Sequence, residues 1–160
     1  NENLPDIRFA KMTGKIRDDL LAVETQYDCI VVDSGGHDTA TMRFAMAAAT
    51  HILIPFRPKR RDLKLLPKME EILDLIKPVN PDAKVAAVIN QAPTLPNQAY
   101  RILDAKDACR SFGIEPINTI IANRNVYDDA DEAGSSVIEM NTDSKAIEEI
   151  RALVKEFIGV

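Results

Sequence analysis

Two kinds of apolar run alternate along the chain. Cys29–Val32, His51–Phe56, Lys84–Ile89 and Ile117–Ile121 are short, rich in β-branched residues and almost free of charge. Runs of that kind predict strands buried on both faces. Ile7–Met12 predicts a further short strand. Between the strands the apolar positions recur at helical spacing. The predicted helices are Lys15–Gln26, on Ile16, Leu20, Leu21 and Val23; Asp38–Ala49, capped by Asp38 or Thr39; and Asp62–Lys77, on Leu66, Met69, Leu73 and Ile76. They continue with Asn97–Phe112 and Val126–Ala133. A terminal helix capped by Asp143 carries Ile147, Ile150, Val154, Phe157 and Ile158 as one stripe. Pro55 and Pro58 close a strand, Pro67 falls in a first helical turn, and Gly113 and Gly134 end helices.

Strand and helix alternate, and no Asn-Gly hairpin signal joins two strands. That order predicts an α/β fold: a mostly parallel sheet with helices on both faces, in one domain over residues 1–160. A chain of 160 residues with 46% hydrophobic and 28% charged residues can close such a core. Its net charge of −5 gives no global attraction for nucleic acid, so any such contact needs a local basic patch. Arg57, Lys59, Arg60 and Arg61, followed by Lys64 and Lys68, form the one concentrated patch. It reads either as a contact for DNA phosphates or as a solvated face balanced by Asp62, Glu70 and Glu71. The two cysteines, Cys29 and Cys109, share no metal-ligand spacing and read as reduced packing residues. No apolar run reaches the length of a membrane span, and the terminal helix mixes Glu148, Glu149 and Glu156 with Lys145, Arg151 and Lys155, which argues against lipid targeting.

Candidate chemistry concentrates in Tyr27–Asp38. The strand predicted there ends on Asp33 and runs into Ser34-Gly35-Gly36, an Asp-x-x-Gly sequence at the carboxyl edge of a sheet, where α/β proteins bind ligands. A carboxylate so placed suits Mg²⁺, and a glycine without a Cβ lets a backbone N–H approach a phosphate. An ordinary strand-to-turn transition has the same composition. Asp38 reads mainly as a helix cap and otherwise as an aid to a water or Mg²⁺, His51 as a partly exposed structural histidine, and His37 as a loop residue not assigned as a general base.

Three stretches carry a family resemblance: Tyr27–Asp33, His51-Ile52-Leu53-Ile54-Pro55-Phe56-Arg57-Pro58, and Arg124–Tyr127 leading to Gly134–Glu139. Together they resemble the ParA-type plasmid and chromosome partition ATPases of the deviant-Walker P-loop class, and the related ParF and VirC types. The resemblance implies a P-loop NTPase-like fold, and a cytoplasmic, nucleoid-associated protein. It implies that ATP or ADP and Mg²⁺ bind, that ATP drives homodimerisation, and that the dimer binds DNA without sequence preference and meets a centromere-binding, ParB-like partner. Under it Asp33 is the Walker B acid holding Mg²⁺, often through water, and Gly36 the residue near the γ-phosphate. Asn90 reads adenine through its amide, with Ala122, Asn123 and Arg124 beside the base. Lys59, Arg60 and Arg61 contact DNA. Arg124 reads equally as a structural arginine, and Asn90 as a strand-end turn residue.

The chain departs from the family pattern in one respect. It holds no Gly-x-x-x-x-Gly-Lys-Ser/Thr sequence or deviant form of it; Gly14-Lys15 lacks the companion glycines. ATP hydrolysis is therefore expected only if a phosphate-binding segment precedes Asn1, and these residues are expected to be about three quarters of the family domain. A VirC-like accessory ATPase for DNA transfer, or a non-catalytic interaction module that has lost the phosphate loop, are the alternative expectations.

Overall fold

The computed structural model describes residues 7–35 and 39–160. The chain divides into two compact units. One contains Leu53–Pro67 and Val85–Val160, the other Arg8–Ile52 and Lys68–Lys84.

Among the described residues three strands form the sheet: β1 (His51–Phe56), β2 (Lys84–Ala92) and β3 (Pro116–Ala122), hydrogen-bonded in that order. β2 and β3 run parallel, with Ala87 level with Pro116 and Ala92 level with Ala122. The register slips on both sides of Ile89, so the ladder is irregular where β2 approaches its end. Pro55 sits inside β1, at the margin of the sheet order, where a missing N–H is tolerated. β2 is dry on both faces, with Ala86, Ala87, Val88 and Ile89 all 5% exposed or less. It is the middle strand, as its unbroken apolar run requires.

Helix α8 (Ser144–Phe157) covers one face of this sheet. Ala86 and Val88 of β2, Ile117 and Ile121 of β3 and Phe157 of α8 form a buried cluster, packed by Ile150 and Leu153. Ala146, Ile150, Leu153 and Phe157 thus make the inward stripe, at the spacing a helix laid on a sheet demands. Ile158 lies past the last helical turn and is 43% exposed, so it drops out of the expected stripe. Asp143 caps α8 by accepting from the N–H groups of Lys145 and Ala146. Before it come α6 (Asn125–Glu132) and α7 (Val137–Met140). The latter is one turn held by a reciprocal capping box between Ser136 and Glu139, which keeps the Glu139 carboxyl below its usual range through hydrogen bonds from Ser136.

The expected helix over Asp62–Lys77 is two helices: α3 (Arg60–Leu63) and α4 (Leu66–Ile76). Pro67 falls in the first turn of α4, where its missing N–H needs no partner, and its steric demand on Leu66 separates the pieces. The Asn97–Phe112 expectation resolves into a 3₁₀ turn at Pro96–Gln98 and α5 (Tyr100–Ser111). Gly113 then leaves the helix at φ 68°, a conformation glycine adopts without strain.

In the other unit, Leu20 of α1 (Arg17–Glu24) and Ile16, at its N-cap, pack with Ala45 of α2 (Ala40–Met46). Thr39 caps α2 by accepting from the Met42 N–H, and the Asn80 amide donates to the carbonyls of Met46 and Ala49 at its far end. Two expected strands are absent here. Ile7–Met12 and Cys29–Val32 have no regular structure, and Val31 is 86% exposed. Strand propensity is a preference for a pleated, half-buried surface, and neither stretch has a pairing neighbour among the described residues. Cys29 is accordingly exposed, against the expectation for a packing residue, whereas Cys109 is buried on α5 and its thiol is pushed up by burial.

Candidate functional site

β2 and β3 finish level with each other, and the Asn123 N–H donates to the Ala92 carbonyl just past the ladder, at 2.8 Å. Two strand ends therefore open onto one recess of about 160 Å³ at the carboxyl edge of a parallel pair. Its lining comes from Asn90 and Gln91 on β2, Ile121 and Ala122 on β3, the Asn123-Arg124 turn, and Tyr127 and Asp128 of α6. Four residues expected around an adenine base, Asn90, Ala122, Asn123 and Arg124, thus share one recess.

The recess carries backbone strain at its rim. Gln91 has φ 48°, a left-handed conformation that costs a non-glycine residue roughly 1–3 kcal/mol. The Asn90 side chain stabilises it locally: its Oδ1 accepts from the Gln91 N–H at 2.8 Å. That bond fixes the rotation of the amide. The Nδ2 donors of Asn90 and the second lone pair of Oδ1 remain for a ligand.

Behind the recess stands a carboxylate that sequence reading missed. Glu149 of α8 accepts from Arg124 Nη2 at 2.7 Å and Nε at 3.2 Å, from the Tyr127 hydroxyl at 3.2 Å, and from the Ala122 N–H at 3.1 Å. Arg124 also lies 3.9 Å from Asp143. The hydrogen bonds to Glu149 raise the Arg124 guanidinium above its ordinary value. Burial, reinforced by the negative charge of Glu149, pushes the Tyr127 phenol up to about 12. Through its bonds to Glu149, Arg124 ties the turn after β3 to α8. One heptad along the same helix, Glu156 repeats the device. It accepts from the N–H groups of Asn118 and Thr119 and from the Thr119 hydroxyl, at 2.6 to 2.8 Å. Lys106 of α5 donates to the Asn118 carbonyl from the neighbouring position, and its own pKa is lowered by burial.

The metal and phosphate half of the expected site stands differently. Asp33 is exposed, in the unit that does not contain the recess, and follows the stretch that forms no strand. Gly36 lies outside the described residues. Among the described residues no group of three or more His, Cys, Asp or Glu could hold a metal ion.

The basic loop is partly neutralised. Arg57 forms a two-pronged ion pair with Asp62, Nε to Oδ2 at 2.7 Å and Nη2 to Oδ1 at 3.1 Å. That pair raises the Arg57 guanidinium and, against burial, lowers the Asp62 carboxyl. Lys68 is paired with Glu71 at 3.1 Å. Lys59, Arg60 and Arg61 remain exposed at the start of α3.

With these positions established, two curated proteins prove similar to the chain. One is the chromosome partitioning protein ParA of Myxococcus xanthus (strain DK1622), 26% identical over 147 residues, which are 90% of this chain and 51% of that protein. The other is plasmid partition protein A of Escherichia coli, 27% identical over 146 residues, 88% of this chain and 36% of that protein. The chain is similar to both at low identity, and it spans about half the length of the first relative and about a third of the second. No family model matches the chain. No helix among the described residues is long and apolar enough to cross a membrane.

Proposed function

We propose that the chain is the base-binding and DNA-contacting part of a partition ATPase, a protein that binds Mg-ATP, dimerises, and holds DNA without sequence preference while a replicon is segregated. The observation that carries this reading is the recess at the ends of β2 and β3. It gathers Asn90, Ala122, Asn123 and Arg124 at the edge of the sheet where α/β folds bind ligands. The likeness to two proteins named for partition supports the same reading.

The recess fits the base end of a nucleotide. An amide with fixed rotation offers a donor and an acceptor to the adenine edge. Tyr127 and Ile121 supply apolar wall, and Glu149 holds the Ala122–Arg124 turn by accepting from the Ala122 backbone N–H and from the Nε and Nη2 of the Arg124 side chain. The described residues do not fit the triphosphate. They include no glycine nest and no acidic cluster for Mg²⁺, and no hydrolytic step is derived from them. In this reading Asp33 takes up its metal role only when Cys29–Val32 pairs as a strand, and Gly36 then adjoins the terminal phosphate. Lys59, Arg60 and Arg61 hold DNA phosphates by charge alone, which makes retention salt-dependent. A ParB-like partner, an ATP-dependent homodimer and a nucleoid-associated, cytoplasmic location belong to the same proposal.

One second reading has an observation in its favour. The exposure of Asp33 suits a binding module without hydrolytic activity. Nucleotide competition separates the two. In the partition reading ATP and ADP compete for one site, GTP competes poorly, and Asn90→Ala removes that preference. A protein that binds none of the three, or all equally before and after the substitution, contradicts the base assignment.

A further inference from the structure

A second recess, of about 330 Å³, lies between the basic loop and α5. Pro58, Arg60, Leu63 and Lys64 line it from the β1–α3 side, and Arg101 and Asp104 from α5. Three cations from segments some forty residues apart in sequence thus surround one hollow. Its floor is apolar: Pro58 is buried and Leu63 half-buried. Tyr100 and Leu103, next to Arg101 and Asp104 in sequence on α5, are 55% and 64% exposed. The Arg101 guanidinium carbon lies over the Tyr100 ring, 6.0 Å from its centre.

We propose that this recess docks an acidic, amphipathic segment of a partner protein. One apolar side chain would rest on Pro58 and Leu63, and flanking carboxylates would meet Arg60, Lys64 and Arg101. Charge complementarity selects the sign of the partner, and the floor selects its class. Duplex DNA offers phosphates to exposed lysine and arginine but nothing to cover apolar surface. A small free anion would need donors fixed by burial, and these three side chains are exposed. Arginine paired with carboxylate, around an apolar anchor, is how grooves read acidic helices and motifs. Asp104, on the same rim, disfavours a partner with an acid at that point and so sets the direction in which a segment lies. The site shares no residue with the base recess; of the DNA-contacting trio Lys59, Arg60 and Arg61 it uses only Arg60.

The test uses the full chain and a fluorescein-labelled panel of synthetic peptides in which Leu or Phe is flanked by Asp and Glu, with serine in place of the apolar residues as control. Fluorescence anisotropy should show saturable binding, and the serine versions should bind roughly tenfold more weakly. Arg101→Glu should weaken the peptide about three- to tenfold, the scale of reversing one exposed charge in a pair. It should leave retention of a random-sequence duplex unchanged. Lys59→Glu with Arg61→Glu should do the opposite. If no peptide in the panel binds, or if Arg101→Glu removes the duplex and not the peptide, the recess belongs to a nucleic-acid face and the proposal falls.

Discussion

Replacing Glu149 by alanine is the sharpest test of how the recess is held. The substitution removes an acceptor shared by Arg124, Tyr127 and the Ala122 N–H. Ala122 is 7% exposed, so its N–H has little access to water as a replacement. A buried donor left unpaired costs about 1–3 kcal/mol. Breaking a fully buried ion pair from one side costs about 3–5 kcal/mol, but the side chains of Arg124 and Glu149 keep 21% and 18% of their surface, and solvent recovers part of that. The net expectation is about 3 kcal/mol, read as a lower urea midpoint with an unchanged slope, or a fall in Tm of roughly 6–12 °C for a chain of this size. Arg124→Ala in the Glu149→Ala background should then add little, since the two share one interaction. Glu149→Gln should fall between. The Tyr127 phenol should titrate lower in both variants, though still above its ordinary value because burial remains. A Glu149→Ala protein within about 0.5 kcal/mol of the parent would refute the claim that this carboxylate ties α8 to the turn after β3.

Glu156 governs an acid-side pH dependence. Burial works against its charged form, but hydrogen bonds from Thr119 and Asn118 outweigh that and hold its carboxyl below the ordinary glutamate value. Its contribution is therefore present above the unfolded-state pKa and is lost as pH falls through the depressed folded value. Urea midpoints measured from neutral pH down past the carboxylate range should fall, and Glu156→Gln should flatten the slope; an unchanged slope would remove this residue from the account. Phe157→Ala, which empties the cluster between α8 and the sheet, should cost about 3–5 kcal/mol by denaturant titration. Asp143→Ala removes the cap of α8 and should cost about 1 kcal/mol, visible as a small Tm loss without change of fold. Lys59→Glu, Arg60→Glu and Arg61→Glu together should abolish non-specific DNA retention on a filter and leave nucleotide affinity intact; retained DNA would exclude the loop.

Much of the fold was legible because local rules and tertiary structure agree. The β2 and β3 runs, the glycine at Gly113 and the cap at Asp143 each carry their own signal, and the structure uses each as read. Cys29–Val32 has a strand composition too, but a strand needs a neighbour, and pairing is not written in the run itself. The Lys64–Leu65 break between α3 and α4 shows the converse: an unbroken apolar period was outvoted by one proline. Asn90 and the Ala122–Arg124 turn were named together through the family resemblance, and the ends of β2 and β3 bring them to one recess. Glu149 was not, because its partners lie between 22 and 27 residues away. A signal existed all the same. Glu149 and Glu156 stand one heptad apart on the flank of the apolar stripe of α8, and an acid so close to a buried face needs donors from what that face covers. Leu63, Lys64 and Arg101 meet only through packing of α3 against α5, which no local pattern announces.

The central claim is that the ends of β2 and β3 hold a nucleotide base. Titrating ¹⁵N-labelled protein with ADP, and in parallel with GDP, tests it most directly. Saturable shifts confined chiefly to the amides of Asn90, Gln91, Ala122 and Asn123 are expected with ADP, much weaker with GDP, and lost in Asn90→Ala. Shifts that avoid these four positions, or that leave ADP and GDP indistinguishable, would contradict it.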